Sequence, residues 1–303
     1  MTSEHPTGVL TQLSEALAAA VERAGRSTVT VHARRRIPAS GTVWQPGVIL
    51  TCDHVLERDE DIAVTTPDGR ELPARLAGRD PGSDLAVLRV DATDLVPAEP
   101  APDGSARVGH LVLAIGRPGN GPVASLGVIS AVGGPWRTFR GGLVEGYIRS
   151  DTTFYPGFSG GPLVDTAGRA VGINSGRLGR GAGLTVPMAA AARIAEQLLR
   201  TGRIRRGYLG IGSQPVRLPE PLARLIGQAS GLLVVSVEAD SPAARGGLLI
   251  GDVIIAMAGA PVRDTEDLQA LLGPERVGQP TTVTVLRGGE RRELSVTVGE
   301  RQG

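Results

Sequence analysis

Apolar residues recur at helical spacing in the first segment of the chain, where Leu10, Leu13, Leu17, Ala20 and Val21 share one face of an amphipathic helix spanning Gly8 to Gly25. The period then drops to two. Short apolar or alternating runs follow at Thr28 to Ala33, Val48 to Leu50, Ile62 to Thr65, Leu85 to Val90, His110 to Ile115, Leu126 to Ile129, Leu143 to Ile148, Leu163 to Val164 and Ala170 to Ile173. Gly, Pro, Asp or Asn punctuate most of them, as expected of short strands joined by turns. Strands this closely spaced, with no long helical pattern between them, predict antiparallel barrels and not a doubly wound sheet. One longer helix is predicted at Pro187 to Arg200, with Pro187 in its first turn and Gly202 as its stop.

Beyond Gly207 the pattern changes, which places a domain boundary between Gly202 and Gly207 and divides the chain into residues 1–203 and 207–300. Strand-like runs Gly231 to Val237 and Val253 to Ala258 flank a turn and short helix at Ser241-Pro242-Ala243-Ala244. A second short helix, Thr265 to Leu272, follows an Asp cap and carries Leu268, Leu271 and Leu272 on one side. Two last strands, Thr281 to Leu286 and Arg292 to Val298, are joined through Gly288-Gly289, a hairpin signal.

Composition narrows the chemistry. The chain has 303 residues, enough for two domains, and its 32 basic residues are all arginine. Without lysine there is no Schiff-base enzyme, no phosphate loop ending in Gly-Lys-Ser/Thr and no Ser-Lys dyad. A single cysteine, Cys52, excludes an intrachain disulfide and a cysteine-cluster zinc site. The formal charge of +1 and eight aromatic rings argue against nucleic acid as a partner. No apolar run reaches the roughly 18 residues of a spanning helix, and the first segment, broken by Gln12, Ser14, Glu15, Glu22 and Arg23, does not read as a signal peptide. A protein that stays where it is made, cytoplasmic as written, is therefore expected.

The segment Gly157-Phe158-Ser159-Gly160-Gly161 sets one serine among residues mostly without side chains. A nucleophilic serine needs that surrounding, because backbone N–H groups must approach the developing oxyanion closely. The segment also satisfies Gly-x-Ser-x-Gly, the elbow of α/β-hydrolases, but an elbow enzyme has its histidine after the serine. All four histidines, His5, His32, His54 and His110, precede Ser159. The order His, Asp, Ser is the simplest fit. His5 sits in a polar tail, His32 beside three arginines, and His110 opens a strand as a packing residue. His54 closes the run Val48-Ile49-Leu50-Thr51 at a strand end, where a base belongs, although order alone leaves His110 open. Asp84, ahead of the strand Leu85-Ala86-Val87-Leu88, is the better orienting carboxylate; its rival Asp80 reads as a turn residue in Asp80-Pro81-Gly82.

These residues resemble the HtrA (DegP-type) family of serine proteases. Val48-Ile49-Leu50-Thr51-Cys52-Asp53-His54-Val55 is similar to the family's histidine segment, Asp84-Leu85-Ala86-Val87-Leu88 to its aspartate segment, and Pro156-Gly157-Phe158-Ser159-Gly160-Gly161-Pro162-Leu163 to its serine segment. Ala114-Ile115-Gly116-Arg117-Pro118 and Gly127-Val128-Ile129-Ser130 resemble its inter-strand runs. The resemblance implies a mainly β chain, a trypsin-like pair of six-stranded antiparallel barrels with a PDZ domain behind it. It also implies a catalytic triad His54, Asp84 and Ser159 and an oxyanion hole built from the N–H groups of Gly157, Phe158 and Ser159, with no cofactor and no metal. Two departures stand out. The family usually has Asn before the serine, where this chain has Phe158, and Asn where Cys52 and Asp53 stand.

By the same resemblance, the substrate pocket is lined by Asn174 and by Leu184, Thr185 and Val186, which implies cleavage after small or medium aliphatic residues. The Gly- and Arg-rich runs Gly133 to Gly142 and Gly176 to Gly183 read as mobile loops. In the second domain Tyr208-Leu209-Gly210-Ile211 is similar to the carboxylate-binding loop of a PDZ domain, with Leu268, Leu271 and Leu272 lining the side-chain pocket and at least one of the three in the core. The expected function is an ATP-independent endopeptidase acting on unfolded or damaged proteins and selecting exposed apolar C-termini. The second reading, for which Phe158 is the only sequence support, is a catalytically silent chaperone or peptide-binding scaffold. A homotrimer follows only by analogy, since the aromatic residues through which relatives trimerise have no counterpart in residues 1–43.

Overall fold

A computed structural model describes residues 8–138, 142–179 and 183–300. His5 and the middle of each Gly- and Arg-rich run, residues 139–141 and 180–182, lie outside the described residues. The chain divides into two compact units at Arg203/Ile204.

In the first unit, α1 (Val9–Gly25) precedes β1 (Thr28–His32), β2 (Ala39–Gln45), β3 (Val48–Thr51), β4 (Ile62–Thr65), β5 (Glu71–Asp80) and β6 (Leu85–Val90). These six strands close into an antiparallel barrel in the order β1-β2-β3-β6-β5-β4. A second barrel, in the order β11-β14-β13-β12-β7-β8, is built from β7 (Leu111–Gly116), β8 (Val123–Gly133), β11 (Tyr147–Ser150), β12 (Pro162–Val164), β13 (Ala170–Ser175) and β14 (Leu184–Pro187). The short pair β9 (Trp136–Arg137) and β10 (Leu143–Val144) stands outside it. Closure leaves no unpaired edge, and inward side chains fill each barrel: Val29, Val31, Ile49 and Leu88 in the first, Val112, Ile129, Ile148 and Leu163 in the second. The antiparallel barrels predicted from the period-two pattern are therefore present.

Helix α2 (Met188–Thr201) packs on β5, β6 and β13. Pro187 is its N-cap, and Gly202 at φ +72° caps its end by donating to the Leu198 carbonyl. The apolar face expected of α1 is only half used. Leu17, Ala20, Val21 and Ala24 pack against Leu113, Ile115 and Val164, whereas Leu10 is 81% exposed, because the helix meets β7 and β12 only through its last turns.

The second unit carries the sheet β16-β17-β18-β20-β21, from β16 (Ile211–Arg217), β17 (Ser230–Val237), β18 (Val253–Met257), β20 (Pro280–Arg287) and β21 (Glu290–Thr297). Three short strands complete it: β15 (Gly207–Tyr208) pairs with β22 (Gly299–Glu300), and β19 (Ala260–Pro261) with β18. Helices α4 (Pro242–Arg245) and α5 (Thr265–Leu271) are capped by the side chains of Ser241 and Asp264. Helix α3 (Glu220–Ile226) has no counterpart in the sequence reading. Prolines 219 and 221 straddle its start and Gly227 ends it after seven residues, too few to show a period.

One buried ion pair ties this sheet together. Asp252 on the loop before β18 accepts two hydrogen bonds from Arg287 (2.7 and 2.8 Å) and one from the Leu249 N–H (2.9 Å). Burial alone raises the Asp252 carboxyl, but the Arg287 hydrogen bonds and the Leu249 N–H outweigh it and hold the group below its ordinary value. A carboxyl depressed in the folded state stabilises at pH above its unfolded value of about 3.9, and that contribution is lost as the pH falls through the folded value. Arg287→Gln is therefore expected to speed hydrogen exchange in β18 and β20 at pH 6, with the difference from the parent shrinking as the pH drops below about 4. An equal difference at both pH values would show that the pair does not carry it.

Candidate functional site

His54 lies in a single 3-10 turn, Asp53–Val55, directly after β3. Asp84 stands at the start of β6 with φ +58°, a left-handed conformation that Asp tolerates better than most residues. The two meet closely. The His54 Nδ1 lies 2.9 and 2.8 Å from the two Asp84 carboxylate oxygens, and the His54 backbone N–H donates to Oδ1 at 3.0 Å. Ser175, at the end of β13, donates its hydroxyl to Asp84 Oδ2 at 2.5 Å. Asp84 is almost fully buried and held by three donors, while the imidazole keeps an exposed edge. The carboxylate fixes the proton on Nδ1, leaving Nε2 as the lone-pair nitrogen.

Ser159 is brought to this pair by the neighbouring loop. Its Oγ accepts the N–H of Gly176, the residue after Ser175, at 3.2 Å, and it makes no hydrogen bond with His54 in this structure. Unliganded sites often leave this contact open, and it tightens on the bound substrate.

The backbone around Ser159 is anchored peptide by peptide. Ser40 on β2 donates its hydroxyl to the Gly157 carbonyl (2.6 Å) and its N–H to the Ser159 carbonyl (3.2 Å). Phe158 donates to the Tyr155 carbonyl, Gly160 to Asn174 and Gly161 to Phe158. What remains are the N–H groups of Gly157 and Ser159, which have no acceptor among the described residues. Of the three donors expected for an oxyanion hole, Phe158 is therefore already committed within its own turn. Glycine is required here: at Gly157 (φ +93°) a Cβ would lie 2.6 Å from Pro118 Cβ, and at Gly160 (φ +89°) 2.1 Å from the Ser40 carbonyl oxygen.

The two departures are accommodated inside the barrels. The Phe158 ring is fully buried with Val112, Ile129 and Leu163, edge-on to Tyr155, in a space that Gly116 leaves open. Asp53 is answered by Arg79, whose Nε donates to it at 2.6 Å while its other nitrogens reach Asp59 and the carbonyls of Asp53 and Leu56. Cys52 is fully buried and donates to the Asn174 carbonyl; burial, and then the Asp84 charge, push its thiol well above the ordinary value, so it stays protonated and unreactive.

Other expectations change. Asn174 and Thr185 bond to each other at 2.9 Å, and Asn174 also to the Pro162 carbonyl, so these side chains tie β13 to β14 and do not point into a pocket. Leu184 and Val186 are buried on the same strand. His32 pairs with Thr65 and His110 with Arg107, both away from the serine loop. Asp80 caps its own turn through the N–H groups of Gly82 and Ser83. Ser40 and Ser175 were not singled out from sequence; a buried serine at a strand start or end is the only signal either carried.

In the second unit, Leu209 is buried and Gly210 adopts φ +78°, with its carbonyl accepting the Glu238 N–H. The N–H groups of Leu209 and Gly210 have no acceptor among the described residues. Tyr208 donates to the Glu238 carboxylate. Leu268 belongs to the core, while Leu271 and Leu272 remain half-buried beside it.

Comparison with known proteins gives these two units relatives. Residues 39–173 match the trypsin-like peptidase domain and residues 207–298 the PDZ domain. The chain is 39% identical over 269 residues to a probable periplasmic serine endoprotease DegP-like of Pseudomonas savastanoi pv. phaseolicola, covering 86% of this chain and 55% of that protein. A protein of the same description from Halomonas elongata is 37% identical over 275 residues, covering 88% of this chain and 57% of its own length. The chain thus spans about half the length of these curated relatives. Among solved structures, the serine endoprotease from Yersinia pestis superposes with a TM-score of 0.75 at 33% identity, covering 99% of this chain and all of the other. The HtrA-type protease AlgW with decapeptide superposes at 0.72 and 31% identity, covering 95% and 99%. The expected cytoplasmic location fails against these relatives, which are named as periplasmic. Composition within folded units does not encode an export address.

Proposed function

Because the chain belongs to the HtrA family of serine proteases, we propose that its first unit is a serine endopeptidase, acting outside the cytoplasm on unfolded or damaged proteins, and that its second unit selects apolar peptide C-termini. The observation that carries the reading is the His54–Asp84–Ser175 hydrogen-bonded set standing beside a serine whose loop offers two unpaired N–H groups. His54 Nε2 takes the Ser159 proton, and Ser159 Oγ attacks the peptide carbonyl. The N–H groups of Gly157 and Ser159 receive the oxyanion. The imidazolium returns its proton to the leaving amine, and water activated by His54 resolves the acyl-enzyme. Asp84 steadies the imidazolium throughout.

The scaffold reading rested on Phe158, and with that ring buried in the second barrel no observation favours it. A fluorophosphonate probe followed by casein digestion tests the proposal. A covalent adduct on Ser159 is expected, together with cleavage of casein. Absence of both adduct and cleavage would overturn the activity.

A further inference from the structure

Strand β16 is the outermost strand of the second-unit sheet, and among the described residues it pairs only with β17. Two hydrogen bonds show which of its backbone groups face inward. The Gly212 N–H reaches Ser236 Oγ on β17 at 3.1 Å, and the Gly210 carbonyl accepts the Glu238 N–H at 2.9 Å. Along an extended strand the N–H and C=O of one residue point to the same side and alternate from residue to residue. The even positions therefore face β17, and Ile211, Ser213 and Pro215 present their main-chain groups to the open side.

The register slip in this pair does not disturb that count. Ser236 faces Gly212 and Val234 faces Ser213, so the extra residue is Val235 on β17, and β16 itself runs without interruption. Pro215 consequently stands at the third outward position, where it offers a carbonyl and no N–H. Its ring carbons occupy the place from which a donor would reach an incoming strand.

The open edge begins with three successive N–H groups that could hold a carboxylate: those of Leu209 and Gly210, which have no acceptor among the described residues, and the outward N–H of Ile211, the first residue of β16; helix α5 packs alongside the strand. An extended peptide with its terminal carboxylate on these groups runs antiparallel to β16. Its last residue lies against Ile211, its third from the end exchanges a pair of hydrogen bonds with Ser213, and its fifth from the end meets Pro215.

We propose that Pro215 sets the length of peptide this groove reads, so that main-chain recognition runs from the terminal carboxylate through the third residue from the end and stops before the fifth. The ligand class is thereby a short, free, apolar C-terminus and not a long extended segment. The inference rests on the peptide-binding reading of the second unit given above. Proline on a sheet edge also blocks unwanted strand pairing, and here the same blockage falls within the binding register.

The test uses the full chain carrying Ser159→Ala, so that no ligand is cut, and N-acetylated peptides of three, four, five and seven residues ending in valine, titrated by calorimetry. Affinity is expected to change less than about twofold between four and seven residues, because the Pro215 ring, standing where a donor would be, holds the peptide's fifth residue from the end away from the Pro215 carbonyl as well, and the longer peptide gains no hydrogen bond. In Pro215→Val, and equally in Pro215→Ala should the valine variant fail to fold, the seven-residue peptide is expected to bind about threefold to tenfold tighter than the four-residue one. A parent whose affinity climbs tenfold between four and seven residues overturns the length limit, as do two folded variants with no gain. Failure of every peptide to bind at any length overturns the groove reading and the proposal with it.

Discussion

Replacing Ser159 by alanine is expected to reduce casein cleavage by at least about ten-thousand-fold, to the level that the oxyanion donors and binding sustain alone. The reasoning is local. Ser159 Oγ stands on the same loop as the Gly157 and Ser159 N–H groups, which have no acceptor among the described residues, whereas the neighbouring hydroxyls of Ser40 and Ser175 are already donated to the Gly157 carbonyl and to Asp84. The fold should survive, because among the described residues the hydroxyl bonds only the exposed Gly176 N–H, which water can satisfy. The thermal midpoint should therefore stay within about 2 °C of the parent, as for surface changes worth under about 0.5 kcal/mol. Loss of the fluorophosphonate adduct with unchanged peptide binding completes the expected pattern. Cleavage that persists within tenfold of the parent would remove Ser159 from the mechanism.

How much of this site was open to sequence reading depends on the distance over which each contact acts. The histidine, aspartate and serine segments each carry a local signature, a strand end or a glycine-rich turn; the order of the histidines relative to Ser159 excludes the α/β-hydrolase elbow, and their surroundings favour His54 among the four. The supporting contacts do not have that form. Ser40 reaches Gly157 across 117 residues and Ser175 reaches Asp84 across 91, and a lone serine in a strand announces neither. Phe158 shows the opposite difficulty. In a segment flanked by glycines no alternation marks which side chain points inward, so its ring reads as an obstacle in the loop, although it fills the barrel beneath. Asp53, which departs from the family's usual Asn beside the base, is held by Arg79 on β5, 26 residues away in the chain, a partner that nothing local announces.

The barrels were legible only in part: period two survives in the four residues of β4, and β3 shows as a short apolar run, but β2 and β5, two strands of the first barrel, have no counterpart among the runs read from sequence. The length of α1 actually packed was not legible, since periodicity reports a face and says nothing of how far the neighbouring barrel extends under it. Short α3, fenced by prolines, carries no period at all.

Asp84→Asn is expected to lower kcat by about a thousand- to ten-thousand-fold while leaving the fold intact. Asparagine occupies left-handed backbone about as well as aspartate, so φ +58° at this position is no obstacle, whereas Asp84→Ala would add backbone strain and confuse the result. The amide keeps one acceptor and gains a donor. If its oxygen retains the His54 backbone N–H, now at 3.0 Å from Oδ1, its NH2 faces His54 Nδ1 and the Ser175 hydroxyl in place of Oδ2. Nδ1 then becomes the acceptor and the imidazole proton moves to Nε2, the nitrogen that must be free to take the proton of Ser159. Turning the amide over restores the tautomer but sets an NH2 against the His54 backbone N–H, two donors facing one another in a buried site. Neither arrangement gives a working base. The measurement is kcat and KM on a fluorogenic casein together with the rate of fluorophosphonate labelling. Both rates should fall in parallel with little change in KM, because Asp84 is buried behind His54 and does not touch the substrate. An Asn variant that keeps its labelling rate within tenfold of the parent would show that Asp84 holds the fold and not the tautomer.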